Sequence, residues 1–309
     1  MVEENKFDEI EFLIGELNEC IEWLKKLNIK QPEGSRLLGI VKYLELILKS
    51  RKENDARVLD KYDSYELYYA YYEAISFMKI KRAFYNFKSD QLRRHDLKEI
   101  LRGPFKPIDE ESGSGNVNTR NKLFELELAA IIQNGKSKLV KVAGFDDIRL
   151  KVNSKIVFIE CKRLVSLRKE QVIQNIIRAA KQLGEKIIDK KSAGIIGLAI
   201  EKILSLDQIF EFSNQDEAFQ FLNTKVSEWI SESGKEIWRV INDRRIIGVI
   251  VCCKLFFKDH KGNISHFQML AFLHREQSAR LSERRVIRNL KEFFDRDVDV
   301  LSGFNKTAN

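Results

Sequence analysis

Asp147-Ile148-Arg149-Leu150-Lys151-Val152-Asn153-Ser154-Lys155-Ile156-Val157-Phe158-Ile159-Glu160-Cys161-Lys162 is the stretch whose reading decides the fold. It reads as two strands joined by a tight turn at Asn153-Ser154. With the turn there, Val152 faces Lys155, the numbers of all partners add to 307, and Asp147 falls across from Glu160. Cross-strand partners share a face, and side chains alternate along each strand. Asp147, Glu160 and Lys162 are therefore expected on one face, with Ile148, Leu150, Val152, Val157, Ile159 and Cys161 buried on the other.

Two carboxylates directly opposite each other repel, and a hairpin with only a structural role has no reason to keep the pair. A divalent cation reverses that sign: Mg²⁺ takes hard oxygen ligands, commonly one or two carboxylates together with water and phosphate oxygens. Lys162 lies two residues beyond Glu160, roughly 6–7 Å further along the same face, within reach of a water or phosphate held by such an ion. Acid, acid, lysine on one face is a minimal arrangement for metal-assisted phosphodiester hydrolysis. The plainer alternative is the solvated face of an amphipathic hairpin. Against it, Ile156 and Phe158 share the face of Glu160, and the two charges follow an apolar strand where they are costly unless paired or liganded.

Upstream, Asn118-Thr119 offers an N-cap, Arg120 to Asn134 has helical periodicity, and Gly135 supplies the stop. Glu125 and Glu127 interrupt this apolar helix, and Glu125 shares a face with Leu128, Ala129 and Ile132. Helix, strand Lys138–Val142, and the two hairpin strands give αβββ.

Phe124-Glu125, Asp146-Asp147-Ile148 and Ile159-Glu160-Cys161-Lys162, in that order and spacing, resemble the restriction-endonuclease-like PD-(D/E)xK nuclease superfamily. The resemblance covers roughly Asn116 to Leu204. It implies that Asp147 and Glu160 bind Mg²⁺ or Mn²⁺, that Lys162 assists the attacking water, and that Glu125 completes the metal shell or orients the water. Glu127 also has apolar neighbours and stands as the alternative helix acid. Asp146 occupies the place of the motif's proline, and the hairpin register selects Asp147 over it.

Beyond Lys162, Ser166 is placed to cap a helix from about Leu167 to Lys190, with Gln174, Arg178 and Gln182 as an i, i+4, i+8 stripe. Members of the superfamily often carry a glutamine or basic residue here near the scissile phosphate, which makes these three nucleic-acid-binding candidates; the alternative is a solvated helix face. Gly194 to Ile200 has no alternation and reads as a strand covered on both faces. It completes αβββαβ, so the fold class expected is α/β: a restriction-endonuclease-like core with a separate all-helical N-terminal domain. Beyond Leu204, a helix near Asp216–Ser231, strands near Ile246–Phe257 and Ile264–Leu273 that extend the sheet, and a last helix near Glu283–Asp295 are expected.

The N-terminal part reads as helices. Ile10, Leu13, Ile14, Leu17, Ile21 and Leu24 form one apolar stripe, and Leu37, Val41, Leu44 and Leu48 another after the Pro32–Ser35 break. A third helix, about Tyr62 to Phe87, carries Tyr65, Tyr68, Tyr69, Tyr72, Phe77 and Phe84. Aromatics interleaved with Lys79, Lys81 and Arg82 could stack on bases, but spacing of three and four favours a bundle core. Gly103 to Gly115 reads as a linker between a helical domain at 1–102 and a nuclease-like domain at 116–309.

Composition sets the remaining bounds. The chain has 309 residues, 44% of them hydrophobic and 32% charged, as expected of a globular protein. No apolar run approaches a membrane span, and the acidic start is unlike a signal peptide. Cys20, Cys161, Cys252 and Cys253 lack zinc spacing, and Cys252-Cys253 is expected in the core. A reducing cytoplasm is the default setting for such cysteines. No Walker A loop is present. Residues 1–115 carry 20 Lys+Arg and 22 Asp+Glu, whereas residues 116–309 carry 34 and 24, so the basic excess falls on the half with the candidate site. That is the footprint expected for a polyanion partner. The expected function is a Mg²⁺-dependent nuclease acting on DNA, with RNA as the other substrate and host defence or repair as the setting the resemblance suggests. The competing reading is a non-catalytic nucleic-acid-binding or assembly subunit, and a homodimer or partner subunit is expected to engage the helical domain or the late strands.

Overall fold

A computed structural model of the chain describes residues 9–53, 64–86, 92, 94–102, 116–134, 140–141, 148–152, 155–189, 191–259, 264–274, 284, 286–288 and 299–300. Two compact units divide it, Met1–Leu123 and Phe124–Asn309. The expected linker, the Asn153-Ser154 turn, Gly135, and both Asp146 and Asp147 lie outside the described residues, as does most of the expected last helix.

In the first unit the helices are α1 (Glu9–Lys26), α2 (Arg36–Lys52), α3 (Ser64–Phe84), α4 (Arg94–Ile100) and the opening turns of α5 (Asn116–Asn134). Of the stripe read on α1, Ile10, Leu13, Leu17, Ile21 and Leu24 are in the core, joined by Cys20 and Trp23, while Ile14 is half-buried. On α3, Tyr68, Tyr69, Tyr72, Phe77 and Phe84 are buried, with the Tyr68 and Tyr69 rings edge to face at 5.1 Å. These aromatics form the bundle core and are not open to stack on bases. The same core holds Glu73 between two arginines, 2.9 Å from Arg36 Nε and 3.0 Å from Arg120 Nε, all three side chains nearly inaccessible. Helix α5 begins at Asn116, ahead of the Asn118-Thr119 cap expected from the sequence.

The second unit is a mixed α/β structure on one curled sheet. Its strands are β1 (Val140–Lys141), β2 (Ile148–Val152), β3 (Lys155–Arg163), β4 (Ser192–Ala199), β5 (Ile209–Glu211), β6 (Ile246–Lys258), β7 (Ile264–His274) and β8 (Asp299–Val300); α6 (Lys169–Lys186) joins β3 to β4, and α7 (Gln215–Val240) joins β5 to β6. The sheet runs β1-β2-β3-β4-β6-β7-β8, with β5 also paired to β6. Strands β1, β2 and β3 are antiparallel, β3, β4 and β6 are parallel, and β7 returns antiparallel along β6. The βαβ crossovers cover the central strands, which is why β4 and β6 read as unbroken apolar runs.

Register fixes which side chains share a face. Ile148 pairs with Ile159 and Val152 with Lys155, the register read from the turn. Strand β2 alternates, with Ile148, Leu150 and Val152 buried and Arg149 and Lys151 exposed. Gly197 packs under Leu128 of α5 beside Cys161 and Ile159, so those residues define the α5 face. Gly194 packs under Leu183 and Ile187 at the end of α6. Phe158, Ile196 and Leu198 join α6 and α7 in a second core. Glu160 is the register partner of Ile196 and two residues from Phe158, which puts it on the α6 face.

Among the departures from the sequence reading, which also include the end of α6 at Lys186 in place of Lys190, three have a local physical reason. Helix α6 begins at Lys169 because Ser166 Oγ accepts from the Arg168 N–H, a local turn that holds the chain off the helix; the N-cap position, Arg168, has no side-chain cap. Helix α7 runs through the polar Ser231–Gly234 stretch to Val240 because Ile237 and Ile241 are buried beyond it. Strand β5 is three residues long, too short to leave a periodic signal. All four cysteines are free and buried, including Cys252 and Cys253 on β6. Among the described residues no helix is long and apolar enough to cross a membrane.

Candidate functional site

Glu160 sits in the middle of the sheet because Ile156, Val157, Phe158 and Ile159 build a strand with partners on both sides, β2 antiparallel and β4 parallel. The residue is only 2% exposed. A carboxylate so placed needs compensating charge, and it has two sources. Lys162 Nζ lies 2.8 Å from Oε1, and Lys186 Nζ lies 2.8 Å from Oε2. The lysines themselves remain partly open, with side chains 24% and 17% exposed, so the cluster is reachable from solvent at its cationic edge. Lys186 is held in place through its backbone: the Arg245 guanidinium donates to the carbonyls of Gly184, at 3.1 Å, and Ile187, closing the last turn of α6. Asp243 pairs with that guanidinium and raises its pKa further.

The structure brings Glu160 and Lys162 together on one face of β3, two residues apart as strand alternation places them. Asp147, the expected second carboxylate, lies outside the described residues; the register that places it across from Glu160 is the one observed from Ile148 to Val152. Glu125 and Glu127 are both buried on α5. That helix packs on the face opposite Glu160, and Glu127 is committed to Lys254 of β6 at 2.6 Å, with both side chains 1% exposed. Gln174, Arg178 and Gln182 are all exposed on α6. Lys186 was missed by the sequence reading, although it is the next i+4 step of that stripe after Gln182.

Glu160 supplies carboxylate oxygens, the ligand type a hard divalent cation takes, but both of them are held by lysine ammoniums. Among the described residues no group of three or more His, Cys, Asp and Glu side chains comes together as a complete metal cage, and a site with one or two carboxylates plus water and substrate oxygens needs none.

A second ionic group surrounds Glu127 and Lys254. Glu201, just past β4, is buried, and burial pushes its carboxyl up to about 7 against the pull of Lys254 and Arg163, while Glu127 adds to the rise. Burial likewise pushes the neighbouring Cys253 thiol well up, with Glu201 contributing. This group is sealed in the core.

Comparison with protein-family models, with curated proteins and with solved structures returns no match to the chain. The functional reading therefore rests on the residues and their geometry.

Proposed function

We propose that this protein is a Mg²⁺-dependent nuclease that hydrolyses DNA phosphodiester bonds, built on a restriction-endonuclease-like αβββαβ core with a helical N-terminal domain. The observation that carries the reading is Glu160: a buried strand carboxylate, two residues from a lysine on the same face, bridged by ammoniums on both oxygens. The element order α5-β1-β2-β3-α6-β4, with an antiparallel hairpin leading into a parallel crossover, is in keeping with that core. The basic excess of residues 116–309 suits a polyanionic substrate.

In this reading Glu160 and Asp147 would hold the cation. When bound, Mg²⁺ polarises the phosphodiester and lowers the pKa of a bound water. Lys162 steadies the attacking oxygen and the charge that develops on the phosphate. Glu125, the helix acid the resemblance implies, lies across the sheet from Glu160 and is given no part in holding the cation. Gln174, Arg178 and Gln182 are the exposed groups available to the nucleic-acid backbone.

One observation favours a different reading. With both Glu160 oxygens taken by lysines, the cluster could be a structural ion triad on a scaffold that binds nucleic acid without cutting it. The test is purified protein incubated with plasmid, linear and single-stranded DNA and with RNA, each with Mg²⁺, Mn²⁺ or EDTA. Metal-dependent cutting of DNA that is lost in Glu160→Gln and Lys162→Met, with circular dichroism unchanged, supports the nuclease. Salt-sensitive binding without cutting under every metal supports the scaffold, cutting of RNA alone changes the substrate, and undiminished cleavage by either variant overturns the site.

A further inference from the structure

Helix α6 does not cover the whole of its face of the sheet. It packs mainly on β3 and β4, where Ile176, Ala179 and Leu183 share a core with Phe158, Ile196 and Leu198. On the same face of β2 the side chains are Arg149 and Lys151, the register partners of Phe158 and Ile156. Both are exposed, whereas Ile148, Leu150 and Val152 on the other face are buried. A strip of sheet beside α6 is thus open to solvent, and its polar lining is basic. Among the described residues of β2 and β3, this face carries Arg149, Lys151 and Lys162 against the one carboxylate Glu160, and Lys186 adds an ammonium from α6. From the level of Ile156, opposite Lys151, to Lys162 the strip is roughly 20 Å long at the usual strand rise.

Arg149 is the fixed point of this strip. Its guanidinium lies over the Phe158 ring, 5.7 Å from the centroid. Phe158 is only 9% exposed and belongs to the core under α6, so the ring is a rigid platform. Stacking engages the flat face of a guanidinium and leaves its in-plane N–H fork available to a bidentate acceptor. Among the described residues no carboxylate pairs with Arg149 or with Lys151. An exposed, pre-oriented guanidinium without a carboxylate matches the oxygens of a phosphodiester. We propose that this strip binds the backbone of a DNA strand, with Arg149 on Phe158 as a phosphate clamp and Lys151, roughly 6–7 Å along β2, as the adjoining contact. At about 3.4 Å per nucleotide the strip accommodates about six nucleotides. The proposal rests on the DNA-binding part of the reading above and needs no metal at Glu160.

The test uses the full-length protein and a fluorescent duplex oligonucleotide in EDTA, with anisotropy read over a series of salt concentrations. Arg149→Gln should weaken binding on the order of tenfold and reduce the slope of log affinity against log salt by about 0.9, the share of one phosphate contact on B-DNA. Arg149→Lys keeps the charge and loses the fork and the stacking, so it should weaken binding severalfold with the slope unchanged. Lys151→Gln should also reduce the slope by about 0.9. Lys235→Gln removes an exposed charge from α7, which packs on β6 and β7, and should leave affinity and slope as they are. Should Arg149→Gln not fold by circular dichroism, Arg149→Lys and Lys151→Gln carry the comparison. Native-like affinity and slope in the variants of Arg149 and Lys151 that fold, or an equal loss in Lys235→Gln, overturn the clamp while DNA binding itself stands. A poly-glutamate peptide that displaces DNA at equal charge, and does so through Arg149, assigns the strip to an acidic protein segment and overturns the DNA occupant. If the native protein binds no duplex at any salt concentration, the DNA-binding reading fails and takes the clamp with it.

Discussion

Replacing Glu201 with glutamine should remove a pH dependence from the stability of the second unit. Burial is the first cause of the rise in its carboxyl pKa to about 7; Lys254 and Arg163 oppose it, and Glu127 reinforces it. In the unfolded chain the group titrates near its ordinary 4.5. Between those two values the folded protein holds a proton that the unfolded chain has lost, so stability falls as pH rises. The contribution is complete below the unfolded value and is lost as pH climbs through the folded one. At about 1.4 kcal/mol per pH unit the gap amounts to about 3 kcal/mol. Urea denaturation across about pH 5 to 8 measures it, read through Trp229 and Trp238 of α7 in a Trp23→Phe background so that fluorescence reports the second unit. The native side chain should lose stability along this range relative to Glu201→Gln, and the difference should level off above the folded pKa. Other groups titrate alike in the two proteins and cancel. Parallel stability curves would refute the reasoning, because they would mean that Glu201 is ionised in the fold despite its burial.

The remaining predictions concern single contacts. Lys254→Met should cost about 3–5 kcal/mol by leaving the Glu127 carboxylate in the core without its ammonium, whereas Lys254→Met with Glu127→Leu should recover most of that loss in the same urea assay. Glu73→Leu should destabilise the first unit by a similar amount, on the order of 3–5 kcal/mol, by removing the carboxylate between Arg36 and Arg120; Trp23 fluorescence reads it. Asn214 Oδ1 accepts from the Glu217 N–H at 2.9 Å and caps α7, so Asn214→Ala should cost about 1 kcal/mol in thermal unfolding. Lys162→Met should lower the rate of DNA cleavage at saturating Mg²⁺ by about a hundredfold or more, measured by single-turnover kinetics, with secondary structure unchanged.

Much of the second unit was legible because its signals are local. The hairpin register needed only a turn position and the two-residue period, and the same two facts put Ile156 and Phe158 beside Glu160. The apolar run of β4 announced a sheet covered on both faces. What escaped depends on groups distant in sequence. Lys186 meets Glu160 across 26 residues, and only the winding of α6 carries it to the sheet; on a flat listing it is one lysine among many. Glu127 stood as the alternative to Glu125 as the helix acid, and its partner Lys254 lies 127 residues away. The continuation of α7 past Ser231–Gly234 was hidden for the same reason, since tertiary burial of Ile237 overrides a weak local stretch. In the first unit the tyrosines of α3 admitted two readings, and burial decided for the core.

The two ionic groups of the second unit make a physical contrast that bears on function. Glu127 and Lys254 hold each other at 2.6 Å with almost no solvent access. Changing that pairing means opening the core, so the group can contribute to which structure forms but not to a turnover cycle. Glu160 has the same burial at its carboxylate but keeps its counter-charges at a partly open edge, on two lysines from different elements. Under the proposed nuclease reading, a hydrolytic site needs a rigid anion whose counter-charges lie within reach of solvent. The sheet thus separates the two groups by face, with the sealed pair under α5 and the partly open one under α6, and the proposed chemistry could use only the second.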